Sequence, residues 1–159
     1  MDDPVTELRS RIEEMERSYE FLISFAGQGV GREAVQSSTD QIREFVDGFE
    51  ESLGGAYDAA LAVPDNHDQF DTDAYLTFIE EMGAEVEEAR NVLTLLGEQD
   101  RITSQQVDNM NGMSVFQSVV MKFFFLDELT DHLERGGSEE QRSSESRKPG
   151  DSERDAEDE

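Results

Sequence analysis

The chain has 159 residues and sets 39 Asp and Glu against 13 Lys and Arg, a formal charge of -26. That length fits one domain, and the absence of cysteine excludes disulfides and thiolate metal sites. So acidic a chain argues against direct nucleic-acid binding, which depends on Lys and Arg displacing phosphate counterions.

The bases themselves are skewed: only Lys122 and Lys148 are lysines, the rest arginines. Many carboxylates with few lysines resembles the composition of proteins from salt-in halophiles. The physical logic stands apart from the resemblance. Like charges repel and destabilise a compact state, and at molar salt the Debye length falls to about 3 Å, which screens that repulsion. The densest basic group, Arg9, Arg11 and Arg17, lies among Glu7, Glu13, Glu14, Glu16 and Glu20, so no basic patch forms. Met1-Asp2-Asp3-Pro4 has neither the basic region nor the apolar core of a signal peptide. No apolar run reaches the roughly 18 residues of a membrane span. A cytoplasmic protein is expected.

The first predicted helix runs from about 3 to 26. Val5, Leu8, Ile12, Met15, Tyr19, Leu22 and Ala26 recur at alternating steps of three and four, an a/d stripe. Asp3-Pro4 is a good N-cap and N1 pair. Gly27-Gln28-Gly29-Val30-Gly31-Arg32 follows a helix rather than a strand and lacks the dinucleotide-binding spacing, so it reads as a connection.

The second helix starts at 32 or 38, the latter if Ser38 and Gln41 form a capping box, and ends near 62. Its face is Ile42, Phe45, Val46, Phe49, Leu53, Tyr57 and Ala60. Gly54-Gly55 weakens it by about 1 kcal/mol per glycine relative to Ala, which predicts a kink or the close approach of a neighbour. Pro64 ends the segment. The third helix spans about 72 to 96, with Asp71 as the expected N-cap and Gly97 as its stop. Tyr75, Ile79, Met82, Val86, Ala89, Leu93 and Leu96 form its stripe.

The fourth helix is expected from about 104 to 135, opened by a Thr103–Gln106 capping box and closed by Gly136-Gly137. At 100° per residue, Met113, Phe116, Val120, Phe123 and Phe124 share one face, Phe125 lies nearly opposite Phe116, and Met121 lies near Phe125. The segment is apolar almost all round, which predicts burial. A bundle helix keeps one solvent side, so Met121 and Phe125 would form a patch that monomers avoid. Residues 136–159 hold nine acids, four bases and no large apolar side chain, and such a segment is expected to be a disordered acidic tail.

No catalytic constellation stands out. His67 sits among carboxylates in the loop 64–71, but glycine and glutamate are missing from the calcium-loop positions. His132 is expected to be exposed near a helix C-terminus. No Glu-x-x-His occurs, which disfavours a di-iron bundle. Glu16 with Glu20, Glu81 with Glu85, and Asp127 with Asp131 are spaced by four, but 39 acids make such pairs unremarkable. Asp127 falls near the core stripe and is expected either to cap the end of the packed layer or to pair with Lys122 or a neighbouring arginine.

Together these features predict an all-α protein, an antiparallel four-helix bundle over 1–135 with a tail over 136–159. The expected role is that of a non-enzymatic interaction protein adapted to high salt: an adaptor, scaffold or accessory subunit, self-associating or binding a protein partner through helix four. Met113, Phe116, Met121, Phe123, Phe124 and Phe125 are the candidate interface residues, with no cofactor. The alternatives are a carboxylate-rich metal-binding or regulatory bundle, and a coat on an apolar surface such as a storage granule.

Overall fold

The computed structural model describes residues 3–27 and 39–145, with Thr39 and 134–145 by backbone alone. The described residues form five α-helices and no strand: α1 (Pro4–Gly27), α2 (Thr39–Ala62), α3 (Asp73–Gly97), α4 (Ser104–Asn111) and α5 (Ser114–Glu145). Two 3-10 turns, Val63–Asp65 and Asp68–Phe70, join α2 to α3. The fold is all-helical, and no described helix is long and apolar enough to cross a membrane. The chain divides into two compact units, 1–127 and 128–159. Helices α1 to α4 and the first turns of α5, through Asp127, belong to the first unit.

Helix α1 starts as expected: the Val5 amide donates to Asp3 Oδ1 at 3.2 Å, satisfying one orphan N–H of the first turn. Its buried residues are Val5, Leu8, Ile12, Met15, Ser18, Leu22 and Phe25. The expected stripe therefore holds at Val5, Leu8, Ile12, Met15 and Leu22 and is displaced by one position at Tyr19 and Ala26. Tyr19 and Ala26 are half-buried, while Ser18 and Phe25 turn inward. Opposite Ser18 lies Gly48 of α2, small enough for close approach. Tyr19 still meets Phe49 edge-on at 5.9 Å between ring centroids, and Phe21 stacks on Phe45 at 3.8 Å. Rising numbers on α1 thus meet falling numbers on α2, and the two run antiparallel.

The α2 face is broader than its seven expected positions. Ile42, Val46, Phe49, Leu53 and Ala60 are buried, joined by Ser52, Ala56 and Ala59, while Phe45 and Tyr57 are half-buried. The proposed Ser38 cap and the glycine-rich connection 28–32 lie outside the described residues. Gly54-Gly55 produces close approach, and α2 stays helical through it. The neighbours are side chains. A Cβ on Gly54 would lie 2.7 Å from the Arg90 guanidinium of α3, and one on Gly55 would lie 2.7 Å from Arg11 Nε of α1. Arg90 Nε is held by Glu50 at 2.7 Å, and Arg11 Nε by Glu7 at 2.8 Å. Gly83 of α3 repeats the device, with Tyr57 Oη 2.6 Å from where its Cβ would be.

Helix α3 buries all seven expected stripe residues. Its N-cap is Thr72, not Asp71. The Tyr75 amide donates to Thr72 Oγ1 at 3.2 Å, while Asp71 ends the preceding 3-10 turn. At the other end Arg43 of α2 donates to the carbonyls of Gly97 (3.2 Å) and Gln99 (2.8 Å), satisfying acceptors the helix end leaves open. Inside, the Tyr75 hydroxyl donates to the Ala60 carbonyl at 2.6 Å, and burial pushes its pKa up to about 12.

The expected fourth helix is two helices. The Thr103–Gln106 capping box forms as predicted. It opens an eight-residue α4, which packs on α1 and stops at Gly112, whose amide donates to the Asp108 carbonyl at 3.1 Å. Met113 falls in the turn, and α5 begins at Ser114. The physical reason is local. Asn111-Gly112 combines two poor helix residues just where the backbone can close on itself. At its far end α5 runs through Gly136-Gly137 to Glu145. Residues 146–159, the remainder of the expected tail, lie outside the described residues. His132, in the second unit, is exposed as expected, while its neighbour Asp131 is half-buried.

Candidate functional site

Residues 114–127 of α5 lie against three other helices. Phe116 meets Phe49 of α2 edge-on at 6.0 Å. Asp127 Oδ1 lies 3.6 Å from Arg9 Nε of α1, one of the alternatives its place near the core stripe left open. Against α3, Phe125 meets Phe78 edge-on at 5.9 Å, and the two Ser118–Glu85 hydrogen bonds are 3.1 Å each. Lys122 Nζ donates to Glu85 Oε2 at 2.9 Å. These contacts run antiparallel along α3 and α5.

This packing separates the six candidate interface residues. Phe116 and Phe123 are fully buried and serve the core with Val119, Val120 and Leu126. Phe124 is half-buried. Three project outward: Met113 at 42% exposure, Met121 at 65% and Phe125 at 53%. Met121 and Phe125 are one helical turn apart and form a continuous ridge. Phe78 extends that ridge onto α3. It lies outside the four-three stripe that defines the α3 core, so stripe reasoning passes it over. Leu95, 60% exposed, lines a shallow groove with Val92, Met110 and Met113 where α3 meets α4. Its only sequence signal is a second leucine beside the core residue Leu96.

Between the two apolar ends lies the polar knot of Glu85, Ser118 and Lys122. Lys122 and Glu85 are each about a third exposed, where an ion pair contributes at most about 1 kcal/mol and less in salt. The knot fixes the register of α5 on α3, with Ser118 and Lys122 both donating to the Glu85 carboxylate.

The other marked residues are engaged structurally. His67 Nε2 lies 3.3 Å from Asp3 Oδ1, joining the 3-10 turns to the start of α1. Hydrogen bonding to Glu7 raises the Arg11 guanidinium above its ordinary pKa. Among the described residues no group of three or more His, Asp or Glu is placed to hold a metal ion. Comparison with protein-family models, with curated proteins and with solved structures gave no match.

Proposed function

We propose that this protein is a non-enzymatic interaction module adapted to high salt, in which α1, α2, α3 and α5 make an antiparallel four-helix bundle that presents a docking face on α5. The observation that carries the reading is the ridge of Met121 and Phe125, more than half exposed and continued by Phe78. Residues 114–127 of α5 bury six side chains in the core, yet two of the four exposed positions, Met121 and Phe125, are large and apolar beside Ser114 and Gln117. A solvated face has no use for them, whereas an interface does. The bundle acts as an adaptor or accessory subunit, and the face takes a protein partner or a second copy. The large excess of carboxylates disfavours nucleic acid as the partner.

The test is solution mass by light scattering in about 2 M KCl, where charge repulsion is screened, with recovery of complexes from the native cell, for wild type and Phe125→Glu. A partner or second copy held by wild type and lost from a folded Phe125→Glu supports the reading. A monomer whose complexes are the same in both proteins refutes it.

A further inference from the structure

We infer that the occupant of the Phe78–Met121–Phe125 face is a single amphipathic helix of a protein partner, apolar along one stripe and carrying Arg or Lys beside it. The inference rests on the docking role proposed for α5 and names the partner's chemistry.

Area favours a small occupant. Met121 and Phe125 are 65% and 53% exposed, and a side chain of that size offers about 200 Å², so the two present about 240 Å² of apolar surface. A stable dimer needs about 800 Å² from each partner, rather more than half of it apolar. The ridge supplies about half that apolar share. It is a suitable size for the two or three anchors of one helix laid along a groove.

Charge favours a basic occupant. Phe78, Glu81, Glu85 and Glu88 follow one another on α3 at steps of three, four and three, so they share one side of the helix. Glu85 is occupied by Ser118 and Lys122. Glu81 and Glu88 are exposed and have no ion pair among the described residues. Uncompensated carboxylates therefore stand at both ends of this side, Glu81 one turn from Phe78 and Glu88 beyond Glu85 beside Met113 and Ser114. A two-fold contact between copies would turn each copy's acidic row toward the other's, and Lys122, the base on this face, is already bound at 2.9 Å. A helix bearing Arg or Lys next to its apolar stripe places opposite charge there instead.

The experiment uses the full chain and two synthetic 18-residue helical peptides with Leu at i, i+4 and i+7. One has Arg flanking the stripe, and its twin has Glu there. Binding is read by fluorescence anisotropy at low and molar KCl, and variant folding is checked by circular dichroism. The Arg peptide is expected to bind at least tenfold more tightly than the Glu twin. Glu81→Gln with Glu88→Gln should weaken the Arg peptide about fivefold, as two exposed ion pairs allow, and do so less at high salt. Phe125→Glu, with Met121→Gln as a milder second variant, should weaken both peptides. Equal binding of the twins, or no binding of either, overturns the inference. If neither binds and wild type is a dimer that Phe125→Glu dissociates, a second copy is the occupant and the docking role survives. If neither binds and both proteins stay monomeric with unchanged native complexes, the role falls as well.

Discussion

Alanine at the recessed glycines separates a flexible neighbour from a stiff one. At Gly54 a new methyl would meet the Arg90 guanidinium at 2.7 Å, the far end of a side chain that can swing into solvent. The loss is the Arg90–Glu50 bond, part-exposed at 44% and 25%. Such a bond contributes at most about 1 kcal/mol and close to nothing at molar salt. The gain is the helix propensity of Ala over Gly, about 1 kcal/mol. At Gly83 the methyl would meet Tyr57 Oη at 2.6 Å and Cζ at 3.2 Å, the end of a rigid ring wedged between α2 and α3. Overpacking of that kind costs about 1–3 kcal/mol, which outweighs the same propensity gain. In 2 M KCl, Gly54→Ala should therefore stabilise by about 0.5–1 kcal/mol, and Gly83→Ala should destabilise by about 1 kcal/mol. That separation of about 2 kcal/mol is roughly 8 °C in Tm for a chain of this size. Urea unfolding followed by circular dichroism reads it directly. A Gly83→Ala protein as stable as Gly54→Ala would refute the reasoning that the two recesses differ in the stiffness of what fills them.

Thr103→Ala removes the hydroxyl that accepts from the Gln106 amide and keeps the other half of the α4 capping box, the Thr103 amide donating to Gln106 Oε1; it should cost about 1 kcal/mol, and an unchanged urea midpoint would show that the hydroxyl does not hold α4. Tyr75 titrates at about 12 in the folded chain against 10.0 ordinarily. The neutral phenol is thus favoured by folding. Its contribution is complete below pH 10 and is lost as pH rises toward 12, up to about 2–3 kcal/mol. Tyr75→Phe should be less stable at neutral pH for want of the bond to Ala60, yet its alkaline limb should be flatter; parallel limbs would contradict the assignment. Tm should climb steadily from about 0.1 to 2 M KCl as repulsion among the carboxylates is screened, and a flat profile would remove the high-salt reading.

Apolar periodicity carried most of the fold because it reports which residues must leave water, and α3 shows this at its plainest. The misreadings fell where a second interaction competed with periodicity. In α1 the close approach of Gly48 drew Ser18 inward and left Tyr19 half outside, a choice made by the neighbour helix. At Asp71-Thr72 both residues are competent caps, and the preceding 3-10 turn occupied Asp71 first. Asn111-Gly112 ended a helix whose apolar pattern continues beyond it, because backbone closure is local and an apolar stripe does not record it. Of the exposed apolar ridge, Met121 and Phe125 were legible as positions opposite a full core stripe. Phe78 was not, since its position follows from the antiparallel register of α3 and α5, which is fixed by Glu85, Ser118 and Lys122 together.

The placement of positive charge implies a lopsided tolerance of mutation. Arg9, Arg43, Arg90 and Lys122 each reach from their own helix to a carboxylate or carbonyl on another segment, while Arg11 lies over Gly55 of the neighbouring helix. Against them stand 39 acids, many of them on open surface and interchangeable with one another. Among the charged positions, a saturation library of this chain should therefore pass Asp and Glu exchanges almost silently and register its losses at the few cations that reach across segments, Arg43 on its two carbonyls before the salt-screened ion pairs. The charge in the minority is the one whose placement matters.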